Sequence, residues 1–87
     1  MAIIPTYVVV ALDVLRDVRV KSIVCAWSES GAMLHFHERF PPERFMLEET
    51  REITEFELNH PFDDGSTLRE IVDICELGEI PWTTDLA

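Results

Sequence analysis

The chain has 87 residues, of which 47% are hydrophobic and eight are aromatic, and it carries a formal charge of −10. That is room for one domain and not two, with too much apolar content for a disordered chain, so a single acidic domain spanning 1–87 is expected. Seven Lys and Arg against seventeen Asp and Glu weigh against direct nucleic-acid binding, because phosphates are held by cations.

The opening Met1-Ala2-Ile3-Ile4-Pro5 has no basic segment ahead of an apolar run, so no export signal is read there. The longest apolar stretch, Tyr7 to Leu12, is far short of the ~20 residues of a membrane helix. A cytoplasmic protein without membrane contact is therefore expected. On that basis Cys25 and Cys75, both inside apolar patterns, read as free buried thiols.

In chain order, 3–12 reads as a strand. Tyr7-Val8-Val9-Val10-Ala11-Leu12 is apolar on both faces and rich in β-branched residues, as in a central strand. Segments 18–28 and 32–40 read as a hairpin turning at Glu29-Ser30-Gly31, where glycine supplies the positive φ of a tight turn. With Trp27 opposite Leu34, the residues Ile23, Cys25, Trp27, Leu34 and Phe36 share one face. Pro41-Pro42 ends that strand. The stretch 43–58 fits helix or strand poorly. A short turn at 42–46 and a strand near 50–58 are preferred, with acids on its outer face guarding a sheet edge.

Loop chemistry follows at Asn59-His60-Pro61 and Asp63-Asp64-Gly65. Ser66 or Thr67 can cap a helix, Thr67 with Glu70 fits a capping box, and Leu68, Ile71, Val72 and Cys75 form a stripe at i, i+3, i+4 and i+7. With Gly78 as a stop, a helix over about 67–77 is predicted. Trp82 follows in a tail that either packs on the core or adds a short strand. The fold class expected is α+β: a mainly antiparallel sheet of about four strands with one C-terminal helix packed on a face.

The placement of charge is uneven. Residues 1–44 are neutral, with five acids and five bases, whereas 45–87 carry twelve acids and two bases. Such a half is either a solvated surface or a face for a basic partner. On the second reading the partner-binding residues are Glu48, Glu49, Glu52, Glu55, Glu57, Asp63, Asp64, Glu70, Asp73 and Glu76, with Trp82 as an aromatic anchor. Helical carboxylates three apart lie ~5–6 Å from one another, so Glu70, Asp73 and Glu76 could imitate a row of phosphates.

Other chemistry is less well supported. His35 and His37, two apart on a strand, would point the same way and are the weak candidates for a metal, but a site needs a third ligand. Asp63-Asp64-Gly65-Ser66 lacks the spacing of a calcium loop. No nucleophile motif or phosphate-binding glycine loop is present, so no catalysis and no cofactor are expected. The leading expectation is a non-enzymatic inhibitor or modulator that binds a protein with a basic surface, in the extreme as a nucleic-acid mimic. Its composition is similar in general character to anti-restriction, anti-CRISPR and immunity proteins, with no motif behind the likeness. The alternatives are a homodimeric or complex-subunit assembly protein using the sheet face with His35 and His37, and a small metal- or ligand-binding domain.

Overall fold

Residues 4–86 are described by the structure, a computed structural model. Strand β1 (Thr6–Asp13) pairs antiparallel with β2 (Val18–Cys25) and with β3 (Phe45–Glu52), and β2 pairs antiparallel with β4 (Trp82–Leu86). The order is β3-β1-β2-β4, so the apolar run 7–12 lies in a central strand, as its pattern predicts. Helix α1 (Glu29–Arg39) packs on one face through a cluster that includes Val9, Val20, Val24, Ala32, Phe36 and Phe45. The short helices α2 (Glu55–Asn59) and α3 (Leu68–Val72) pack on the other, through Val8, Ile23, Leu58 and Leu68. Burial on both sides explains why β1 is apolar at consecutive positions.

The β1–β2 turn is built around Asp13, which is completely buried. Its carboxylate accepts from the Leu15 N–H at 3.1 Å, from Arg16 Nε at 2.6 Å and from Arg44 Nε at 2.9 Å. Asp17 closes the turn in the left-handed region, at φ 53°, a conformation aspartate adopts more readily than most residues. The side chain therefore does the work that an Asn-Gly pair does in other hairpins.

Three expectations are corrected. The segment 32–40 is a helix, not the second strand of a hairpin, so the proposed pairing of Trp27 with Leu34 does not exist. Nothing from Glu29 to Phe40 is β-branched, which favours helix over strand. Ser28 is its N-cap and accepts from the Gly31 N–H at 3.1 Å, so Glu29-Ser30-Gly31 is a first helical turn. Ala32 and Phe36, four apart, face the sheet, and Phe36 stacks on Phe40 with centroids 4.6 Å apart. Trp27, expected to share a face with Ile23, Cys25 and Phe36, is 54% exposed, whereas those three are buried.

In the second correction, the strand in 43–58 comes early and a helix follows. Phe45–Glu52 is the edge strand β3, with a register shift opposite Val10/Ala11. Thr54 then caps α2 in a reciprocal box with Glu57. The acids on β3 do line an edge of the sheet.

The third concerns the C-terminal region: the helix expected over 67–77 is only Leu68–Val72, and it is the last of three helices, not the one helix of the fold. Its start is as predicted, since Thr67 is the N-cap and its N–H donates to Glu70 at 3.1 Å. Its end is set by tertiary pairing. Cys75 is bonded to Cys25, with Cα atoms 6.6 Å apart, so neither is the free thiol expected. Beyond it the Gly78 N–H donates to the Cys25 carbonyl at 2.8 Å and the Cys25 N–H donates to Glu79 at 3.1 Å. Chain committed to the end of β2 cannot continue a helix. Trp82 opens β4 beside Ile23, one of the two fates foreseen for the tail.

Two stability outcomes follow from this geometry. Intact protein should resist alkylation at both cysteines until a dithiol reductant is added, and Cys75→Ser should lower stability by about 2–4 kcal/mol; full alkylation without reductant would contradict the bond. Gly78 has φ +84°, and a Cβ there would lie 3.2 Å from the His35 ring. Gly78→Ala should therefore lower the melting temperature, at a cost of at least about 1 kcal/mol, whereas Gly65→Ala, also at positive φ but with open space around it, should cost less.

Candidate functional site

A groove of about 720 Å³ runs along one end of the sheet, beneath α2 and α3. Ile4, Pro5 and Thr6 lead into β1 along one side, and Ile53, Leu58 and Val72 supply most of the remaining apolar surface. The Ile53 N–H donates to the Thr6 carbonyl at 2.9 Å, which carries the chain from β3 across the end of β1. Cys75, fixed by its bond to Cys25, completes the wall. Four charged residues border the space: Glu52 at the end of β3, Glu55 on α2, Arg69 on α3 and Asp73 at the C-cap of α3.

The charges at this rim do not cancel. Arg69 pairs with Glu55 and also donates to Asn59 at 2.8 Å. Glu52 and Asp73 are exposed, and no cation pairs with either among the described residues. The groove thus combines an apolar floor with two uncompensated carboxylates.

The remaining expected partner residues are distributed as follows. Cations of the N-terminal half reach across the sheet: Arg19 pairs with Glu48 at 2.6 Å and Lys21 with Glu57 at 3.4 Å, while Arg16 reaches Asp85 at 2.9 Å. Arg51 takes both Glu49, at 3.0 Å, and Glu57, at 2.6 Å. Asp64 is occupied in its turn, accepting from the Ser66 N–H at 2.9 Å, and Glu70 caps α3. Asp63 and Glu76 are exposed without an ion pair among the described residues. Exposed pairs of this kind contribute only ~0.2–1 kcal/mol each to stability. They set a cation beside Glu48, Glu49, Glu57 and Asp85, and leave Glu52, Asp63, Asp73 and Glu76 without one among the described residues. The row Glu70, Asp73, Glu76 is broken, because α3 ends at Val72 and Glu76 lies in the following loop.

Trp82 is half-buried and stacks on Phe62 with centroids 6.1 Å apart. Its ring belongs to the cluster under α2 and α3 more than to a free surface. His35 and His37 sit on α1, where residues two apart diverge around the helix, so the strand geometry that aligned them is absent. His35 Nδ1 donates to Glu38 at 3.1 Å and His37 Nδ1 to the Phe40 carbonyl at 2.9 Å. Among the described residues no group of three or more His, Cys, Asp or Glu is placed to hold a metal ion. Glu52, Glu55 and Asp73 are legible in the sequence as surface acids, whereas the groove that joins them is not. Its apolar members come from four separate segments, and no periodicity links them.

Two carboxylates make stability depend on pH. The Arg51 guanidinium holds Glu57 down from its ordinary 4.5 to about 2, against an opposing push from burial. Arg44, then Arg16, hold Asp13 well below the usual carboxylate range, again against burial. Both folded pKa values are depressed, so the stability they contribute is complete above the unfolded pKa and is lost as pH falls toward the folded one. The melting temperature should drop steeply as pH falls from about 4.5 toward 2, and Asp13→Asn should make that drop shallower while lowering stability at pH 7. A level melting temperature across this range would contradict both assignments. No protein-family model, curated protein or solved structure matches the chain.

Proposed function

We propose that this is a non-catalytic binding protein whose partner is another protein with a basic surface, and that binding modulates or inhibits that partner. The observation that carries the reading is the charge that remains after internal pairing. The net charge is −10, and Glu52, Asp63, Asp73 and Glu76 are exposed without cationic partners among the described residues. A field of this sign steers a basic partner into encounter and repels phosphates. The bonding of Cys25 to Cys75 also supports a non-catalytic role, because a bonded sulfur is not a nucleophile.

The basic surface on the partner need not be one that binds nucleic acid. Mimicry of a phosphate row would require evenly spaced carboxylates, and the helical row that suggested it is interrupted after Val72. His35 and His37, which the assembly alternative placed on a sheet face, lie on α1 instead.

Retention of the partner from native-host extract on immobilised protein should fall steeply between about 0.1 and 1 M salt, as the screening length shrinks from ~10 to ~3 Å. Capture that is equally strong at both salt concentrations would overturn the electrostatic reading.

A further inference from the structure

We infer that the groove bordered by Glu52 and Asp73 is the docking site for an extended segment of the partner that carries an arginine or lysine beside an aliphatic side chain. This rests on the reading of a basic protein partner and gives that partner a place and a local chemistry.

Size is the first ground. About 720 Å³ lies within the ~300–1,000 Å³ typical of binding clefts, and is more room than one side chain fills. The second ground is the lining. Ile4, Pro5, Ile53, Leu58 and Val72 offer apolar surface, and an aliphatic side chain or the methylene stem of Lys or Arg gains by covering it. Charge is the third. The Arg69 cation is engaged by Glu55 and Asn59, which leaves Glu52 and Asp73, from two different elements, to receive a cation entering between them. A guanidinium suits this best, because its several N–H donors can serve a carboxylate on each side. An anionic ligand would meet the same two carboxylates and be repelled.

The groove is also held in shape before binding. Its outer wall is anchored by the Cys25–Cys75 bond, and its inner end by the Ile53–Thr6 hydrogen bond. A site already ordered does not have to recover that ordering cost from its affinity.

The test uses the full chain and a blocked octapeptide of alternating arginine and leucine, followed by amide chemical shifts in solution NMR. Shifts should concentrate at Thr6, Glu52, Ile53, Val72 and Asp73. The double variant Glu52→Gln/Asp73→Asn should weaken binding at least about tenfold with an unchanged melting temperature, since both side chains are exposed and unpaired. Asp63→Asn/Glu43→Gln removes the same charge at exposed, unpaired positions that do not line the groove and should change affinity less than about threefold. An arginine–serine octapeptide should bind more weakly than the arginine–leucine one. Shifts centred elsewhere, equal losses in the two double variants, or equal affinity for the two peptides would overturn the docking site and leave the general reading of a basic partner in place. Failure of every basic peptide to bind, together with salt-insensitive capture of the host partner, would overturn both.

Discussion

The covalent link between Cys25 and Cys75 joins residues 50 apart in sequence, and the whole C-terminal half is arranged around it. Helices α2 and α3 have five residues each, far below the ~12–15 at which a helix holds by itself in water. They persist because Leu58 and Leu68 pack on Val8 and Ile23, and because the chain after α3 is bound to the end of β2 by the disulfide and by two backbone hydrogen bonds. A contribution of about 2–4 kcal/mol from one bond is a large part of the ~5–15 kcal/mol that keeps a domain folded. Without it the groove would lose a wall and α3 its anchor.

The opposite end of the sheet is secured by polar contacts. Burying the Asp13 carboxylate would be costly without partners, yet two arginines and the Leu15 N–H satisfy it. Arg44 belongs to the segment entering β3 and Arg16 to the β1–β2 turn, so one carboxylate ties three strands together: β1, which carries it, and its neighbours on both sides. The two ends of the sheet therefore divide the tasks. One is pinned by a charge network around the buried Asp13, and the other is pinned by a disulfide beside an open groove with acidic residues at its rim.

This division changes what the acidic half means. Counted along the chain, all the net charge falls in residues 45–87. In space, Arg16, Arg19 and Lys21 of the neutral half lie across the sheet and pair with Asp85, Glu48 and Glu57. The antiparallel order β3-β1-β2-β4 brings the two halves side by side, so a segregation visible in sequence is partly undone in the fold. What survives is a set of carboxylates without a cationic partner among the described residues, at the groove rim and around α3 and also at Asp17, Glu29 and Glu43.

Several features were determined by the sequence alone: the α+β class with an antiparallel sheet, the two-sided burial of β1 through its run of β-branched residues, and the Thr67 cap of α3. Each depends on neighbours along the chain, where periodicity and capping act directly. Helix α1 was also legible, in the absence of any β-branched residue from Glu29 to Phe40, but the alternation around Phe36 and the glycine at 31 imitate a hairpin. Tertiary structure alone decided the rest. The Cys25–Cys75 bond cut the predicted helix short, since a backbone drawn to β2 cannot also satisfy i→i−4 hydrogen bonds. The groove, too, gathers residues from β1, β3, α2 and α3, and only the folding of distant segments against one another could bring Glu52 and Asp73 to a shared rim.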